Sequence, residues 1–168
     1  MKVGPDGNLY VVDMYRKVIE HPEWIPDEME KTLDINAGKE KGRIYKISKS
    51  EDDSFYNVNN FSSEAGCINA LSHPNGWVRK TAQRILLQKE ISPEGKKKLI
   101  ELVEKNKTYA AVHALWILHE ASSLTTTTLE KALKHPQAGI RENAIFVAEN
   151  FLEDKKIQEQ LLAMLDDA

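Results

Sequence analysis

Apolar positions along the chain fall into two regimes. Up to residue 47 they come in short, mostly alternating runs, and from residue 64 onward they recur every three or four positions. Leu9–Val12 has the β-branched and aromatic content of a short strand. Pro5-Asp6-Gly7 just before it suits a tight turn, because proline presets φ and glycine supplies a positive φ. Residues 42–47, reading GRIYKI, alternate apolar and polar and predict a second strand. In this reading the front hairpin has no strand before it, so residues 1–14 look like the torn edge of a larger sheet. Between the strands, His21-Pro22-Glu23-Trp24-Ile25-Pro26 carries two prolines and is excluded from a helix interior. Pro26, followed by Asp27 and Glu28, reads as the start of a short helix with Met29 and Leu33 on one face.

Residues 48–63 turn polar and rich in Asn, Asp and Ser, which marks a linker, with Phe55, Tyr56 and Phe61 suggesting that it is laid on a surface. Seven helical segments follow, at about 64–72, 77–90, 93–105, 109–121, 126–134, 138–152 and 155–166. The stretch His73–Leu87, HPNGWVRKTAQRILL, is answered 62 positions later by His135–Glu149, HPQAGIRENAIFVAE. A third, degenerate copy, Tyr109–Leu118, lies between them. Its helix is apolar nearly all round, whereas the outer copies keep polar faces. That gradient is what a stack of about three repeats requires, since each buries its face only against its neighbours. The expected organisation is residues 1–47 as a β segment with a short helix, 48–63 as linker and 64–168 as a helical repeat domain.

Composition changes this picture little. A net charge of −3 over 168 residues gives no broad basic field, so nucleic-acid binding has no electrostatic footprint. Lys96-Lys97-Lys98 reads as the solvated face of a helix. The single cysteine, Cys67, excludes an internal disulfide framework and a multi-cysteine zinc site, and its apolar neighbours predict a small buried side chain. No apolar run approaches the roughly 20 residues that span a bilayer, so no membrane insertion is expected.

The period of about 31 residues, with two helices per repeat, and the phrase Val78-Arg79-x-x-Ala82 answered by Ile140-Arg141-x-x-Ala144 resemble HEAT repeats over residues 64–166. The acidic residue usual before the valine-arginine pair is replaced by Asn75-Gly76 and Gln137-Ala138, so Arg79 and Arg141 are expected at helix C-termini or in solvent. The order GPDGNLYVVDMYR, VIEHPEWIP, GRIYKI, linker, HPNGWVRKTAQRIL is similar to that of the bacterial membrane-bound dehydrogenases. Those proteins combine a quinoprotein-like β-propeller, a HEAT array and usually a C-terminal cytochrome c domain. The resemblance implies a mainly α chain: a HEAT-like α-α superhelical array joined to a small N-terminal β segment left from a propeller. It implies PQQ and haem c in the parent protein, none in this chain, and partners such as the protein's own upstream propeller or a cytochrome c domain. It places the whole in the periplasm or cell envelope; a chain complete as given would instead be cytoplasmic.

Candidate chemistry is confined to the front segment. Asp13, Tyr15, Arg16, His21 and Trp24 follow a strand where, on the propeller resemblance, loops gather at the channel mouth and could face a quinone or a sugar. The plainer account is that Asp13 caps a turn, Arg16 pairs with Glu20, and His21-Pro22 is punctuation. Trp24, in a proline-bounded loop, would plug a junction or line a pocket. His113 and His119, six apart, lack a carboxylate to complete a ligand set, and His73 and His135 recur as repeat joints. Trp77, aligned with Tyr109, reads as a repeat-stacking residue. Nothing in the repeats is chemical, and catalysis is not expected of this chain alone. The second helices of the repeats are expected to present Arg79, Gln83, His113, Arg141 and Ile145 along one ridge for a protein partner. Two other functions fit the sequence: a free-standing HEAT-like adaptor, and, more weakly, a sugar or alcohol oxidoreductase using residues 13–24.

Overall fold

The computed structural model describes residues 1–19, 21–49, 55–105 and 108–165. Two compact units divide the chain, Met1–Phe55 and Tyr56–Ala168, with the division inside the polar stretch 48–63. Among the described residues the fold is mainly helical, with eight α-helices and one three-stranded antiparallel sheet.

The first unit holds the sheet, in the order β1 (Lys2–Val3), β2 (Leu9–Asp13), β3 (Arg43–Ile47). Lys2 and Val3 pair with Tyr10 and Leu9, so the hairpin does have its preceding strand. That strand is two residues long, too short for an alternation pattern to show in the sequence. The turn closes through Gly7 N to Gly4 O at 3.0 Å and Gly4 N to Asn8 O at 2.9 Å. The Asp6 carboxylate accepts from Asn8 N at 3.1 Å, Tyr10 OH at 2.8 Å and Lys46 Nζ at 3.1 Å, tying the turn to both longer strands. Register pairs Val12 with Ile44 on one face and Leu9 with Ile47 and Val11 with Tyr45 on the other. Val12, Ile44, Tyr45 and Ile47 are all exposed, so apolar surface lies open on both faces of this sheet. The predicted helix at Pro26 is one turn, α1 (Asp27–Glu30), with no buried residue.

The second unit is built from α2 (Glu64–Ala70), α3 (Gly76–Leu86), α4 (Pro93–Lys105), α5 (Tyr109–Glu120), α6 (Thr126–Leu133), α7 (Ala138–Ala148) and α8 (Lys155–Leu162). Helix α2 packs on α3, α4 on α5 and α6 on α7. These pairs then stack in two rows, α2–α4–α6–α8 and α3–α5–α7. The starts of the helices follow from their caps. Ser63, Asn75, Thr108, Thr125 and Asp154 each accept a backbone N–H of the helix they precede, satisfying a donor that the helix cannot. The predicted 138–152 helix stops at Ala148 and runs on as a 3₁₀ turn, Glu149–Phe151.

The core lies between the rows: Val78, Leu99, Val103, Leu115, Leu118, Leu129, Val147 and Ile157 have no exposed area. Helix α5 contributes six buried residues, as its near-uniform apolarity requires of an element covered on three sides. At one end Tyr56, Phe61 and Trp77 seal the stack, with ring centroids 5.0 Å apart for Tyr56–Phe61 and 6.4 Å for Phe61–Trp77. Phe55, grouped with them from sequence, is exposed instead. Cys67 is buried, its Sγ 3.4 Å from the Phe61 carbonyl, and desolvation pushes its thiol pKa up.

Candidate functional site

The front loop uses its polar groups locally. Asp13 Oδ1 accepts from Tyr15 N at 2.9 Å, which holds Tyr15 at a φ of +49°. Gly38, at φ +84°, lies so close to the Tyr15 carbonyl that any β-carbon would collide with it. Arg16 Nη2 donates to the Ile35 carbonyl at 2.8 Å; its expected partner Glu20 lies outside the described residues. His21 faces Glu23 at 3.7 Å and both are largely exposed. Trp24 is 81% exposed, so it neither plugs nor lines anything in its unit. Tyr15 is the most decorated member, with Lys41 Nζ and Arg43 Cζ 5.5 and 5.3 Å from its ring centre. Cys67 is the one cysteine of the chain, one short of the pair that c-type haem attachment uses. Among the described residues, no three His, Cys, Asp or Glu side chains gather as a metal-ligand set.

The α3–α5–α7 row has more structure than the ridge expected of it. Arg79 Nη1 donates to the carbonyls of His73 and Pro74, both at 2.7 Å, and Arg141 Nη1 to those of His135 and Pro136 at 2.9 and 3.3 Å. Each arginine therefore turns back onto the joint that precedes its own helix. In both joints the histidine Nδ1 accepts the backbone N–H two residues on, at 3.1 Å. The recurring His-Pro and Arg are one device: carbonyls left over after a helix end are bound by a cation from the next helix. That role was invisible from the missing acidic residues.

Between helices the row is cross-linked by side chains. The Arg79 guanidinium lies 4.5 Å from the centre of the Tyr109 ring. Gln83 Oε1 and His113 Nδ1 are 2.7 Å apart. As an amide oxygen only accepts, the imidazole carries its proton on Nδ1 and leaves Nε2 as an acceptor. Burial, then the positive charges of Arg79 and Lys80, hold the His113 pKa below its ordinary value. From α5 to α7, Trp116 Nε1 donates to Asn143 Oδ1 at 2.8 Å, and Asn143 Nδ2 donates to the Gly139 carbonyl at 2.7 Å. Of the five ridge residues, Gln83 and His113 are joined, Arg79 and Arg141 are anchored to joints, and Ile145 is 45% exposed.

Beside this ladder, at the N-terminal ends of α5 and α7, a groove of about 510 Å³ is lined by Tyr109, Val112, His113, Gly139, Ile140 and Asn143 among others. Of these only His113 was singled out from sequence for the surface. The readable signal was the glycine at 139, where the first copy of the repeat has Trp77.

Residues 1–51 match a family model described as a domain of unknown function, DUF7133. No curated protein and no solved structure matches the chain. The matched stretch is the three-stranded unit and stops before the helical stack.

Proposed function

We propose that the helical unit is a HEAT-like array of about three repeats, serving as a non-catalytic interaction or spacer region of a larger protein akin to the quinoprotein-type dehydrogenases. The observation that carries this reading is the duplicated clamp, Arg79 on His73-Pro74 and Arg141 on His135-Pro136. Two copies of one joint, 62 residues apart and flanking a middle copy, are the mark of a stack built by repetition. Rows of this kind present the side chains of alternate helices on one surface, here α3, α5 and α7.

The front sheet supports the larger-protein part of the reading. Apolar side chains exposed on both faces suit a sheet that belongs between neighbours, as a propeller blade does, rather than a free-standing cap. In that setting residues 1–47 are the remnant of a propeller edge, with PQQ and haem c held by parts of the parent outside this chain. The partner is the protein's own propeller or a cytochrome c domain, in the cell envelope. No helix among the described residues is long and apolar enough to cross a membrane.

The test is docking of the full chain to separately produced upstream propeller and cytochrome c domains, followed by biolayer interferometry. Ile145→Glu alters the exposed row away from the joints, Tyr109→Ala alters it beside the Arg79 guanidinium, and each is expected to weaken docking about tenfold, a loss of about 1.4 kcal/mol. Equal docking by both variants would remove the row from the interface. No docking to either domain, with the chain monomeric and self-sufficient, would favour the free-standing adaptor.

A further inference from the structure

We infer that the end of the stack formed by α7 and α8 is a docking surface for a basic amphipathic helix of a partner protein, laid where a further helix of the α3–α5–α7 row would stand. This rests on reading the helical unit as a stack built by repetition, and it adds a surface apart from the row already proposed.

The two rows do not end together. Helices α2, α4 and α6 each pack on a helix of the other row, whereas α8 packs on α6 and, among the described residues, no second-row helix follows it. Ala82, Ala114 and Ala144, all fully buried, bring the three copies into register. In that register Val112, Trp116 and His119 of α5 correspond to Glu142, Phe146 and Glu149 at the end of the row. Val112 lines one groove with Ile140 and Asn143, and Trp116 Nε1 donates to Asn143 at 2.8 Å. His119 faces Phe151, just beyond α7, with ring centroids 6.5 Å apart. These are the positions through which one second-row helix grips the next. On α7 they grip nothing: Phe146 is 61% exposed, and Glu142 and Glu149 are exposed beside it.

The first row shows the same gap. Leu162 stands as far beyond the α8 cap, Asp154, as Leu133 stands beyond the α6 cap, Thr125. Leu133 is buried in a helix that has its partner, α7, packed on it, whereas Leu162 and Leu165 are 65% and 79% exposed. The opposite end of the stack is closed by Tyr56, Phe61 and Trp77, so bare apolar side chains mark this end alone. Array ends ordinarily carry a polar outer face, and an end without one is a stacking surface.

Charge selects the occupant. Glu142 and Glu149 flank Phe146 one turn away on either side, and Glu159 lies one turn before Leu162. Among the described residues none of the three has a cation within salt-bridge distance. Arg141 is turned back onto its joint, and Lys155 and Lys156 lie in the first turn of α8, at the far end from Leu162 and Leu165. A helix covering Phe146 and the two leucines brings its flanking residues opposite these carboxylates, which favours lysine and arginine there. A second copy of this chain, related by a two-fold axis, would set the same carboxylates against each other.

The probe is an end-capped, fluorescein-labelled peptide of about 18 residues, long enough to form a helix by itself, with leucines at helical spacing and lysines flanking them. It is titrated with the full chain and read by anisotropy, beside a counterpart carrying glutamate for lysine. The lysine peptide is expected to bind in the micromolar range and to weaken as salt is raised. The glutamate peptide should bind at least about tenfold more weakly. Phe146→Ser and Leu162→Ser should each weaken the lysine peptide about tenfold. Both should keep urea midpoints close to the wild type, because the side chains they shorten are mostly exposed. Glu142→Lys combined with Glu149→Lys should reverse the preference between the peptides, and Tyr109→Ala should leave it unchanged. Equal binding of the two peptides, binding untouched by Phe146→Ser and Leu162→Ser, or no binding overturns the surface. So does self-association of the chain that sedimentation detects and Phe146→Ser abolishes, since the occupant is then a second copy. The interaction-module reading survives each of those results if docking to the propeller or cytochrome domain still falls with Tyr109→Ala.

Discussion

Arg79 holds the backbone carbonyl of His73 at 2.7 Å through Nη1. The same nitrogen reaches the Pro74 carbonyl, and Arg141 repeats the arrangement at His135-Pro136. Truncation to Ala leaves carbonyls at a helix–helix joint without their cation, and bonds to a charged donor are worth about 1.5–3 kcal/mol. Arg79→Ala and Arg141→Ala are each expected to lower unfolding free energy by about 1–3 kcal/mol, measured by urea denaturation. Lysine should recover only part of this, because a point charge on a flexible stem does not present the rigid guanidinium fork to two adjacent carbonyls. A change below about 0.5 kcal/mol in both alanine variants would mean the clamp is idle, as surface substitutions generally are.

Glu64 of α2 reaches across to the start of α4. Its carboxylate accepts from Ser92 N at 2.9 Å and from Ser92 Oγ at 2.5 Å, and Ser92 Oγ in turn accepts Gly95 N at 3.0 Å. These bonds hold the Glu64 carboxyl below its ordinary pKa. A depressed carboxyl contributes stability above the unfolded value, near 4.5, and loses it as pH falls toward the folded one. Stability of the wild type should therefore fall with acidity below pH 4.5 more steeply than that of Glu64→Gln. Gly95→Ala tests the same contact sterically. Alanine is the better helix former by about 0.8–1 kcal/mol, yet its β-carbon would press on the Glu64 carboxylate and on Ile91. A net loss of stability is expected; a net gain would show that Glu64 can swing aside at no cost.

His113 gives a second signature of the same sign, nearer neutrality. Its folded pKa lies below its unfolded value of 6.5, so in acid the unfolded chain takes up the proton first. Stability is then unaffected above pH 6.5 and declines as pH drops below it, levelling off once the folded state also protonates. In His113→Asn this decline between pH 6.5 and 5 should vanish, while an amide remains to face Gln83. Midpoints from urea curves at half-unit pH steps decide it, and parallel curves for the two proteins would count against the assignment.

The helical half was legible because its signals are local. Period, caps and breakers placed all seven helices, with α4 at its observed bounds of Pro93–Lys105 and the others within a few residues. The expected 138–152 helix overruns the observed one because Glu149-Asn150-Phe151 continues the apolar spacing while the backbone tightens into a 3₁₀ turn. The first strand was missed because two residues cannot display alternation; Lys2 and Val3 become a strand only by pairing with Tyr10 and Leu9. The ridge was half legible. Helical spacing correctly put Gln83 and His113 on the same row, but a sequence does not say that they bond to each other. Nor does it say that Arg79 and Arg141 bend back to the joint before them, since that choice is made by carbonyls six residues upstream. Asn143 as the acceptor of the Trp116 indole depends on how α5 and α7 stack, and lay beyond any pattern along the chain.

Asp6 is the tie that makes the front sheet a unit, and it predicts that this unit responds to acid on its own. Burial alone would raise its pKa, but hydrogen bonds from the Asn8 side chain, Tyr10 OH, Asn8 N and Lys46 together hold it far below the ordinary 3.8. The carboxylate stays ionised through the whole neutral range and well into acid, joining the turn to β2 and, through Lys46, to β3. Asp6→Asn keeps the shape but loses the charge, and an amide cannot accept from all four donors with both of its ends. Tyr10→Phe removes one donor and leaves the charge. The sheet amides of β2 and β3 should therefore exchange with solvent markedly faster in Asp6→Asn and only modestly faster in Tyr10→Phe, with α2–α8 unchanged in both. Uniform loss of protection across both units would instead mean that the sheet and the helical stack unfold as one, contrary to the division at Phe55.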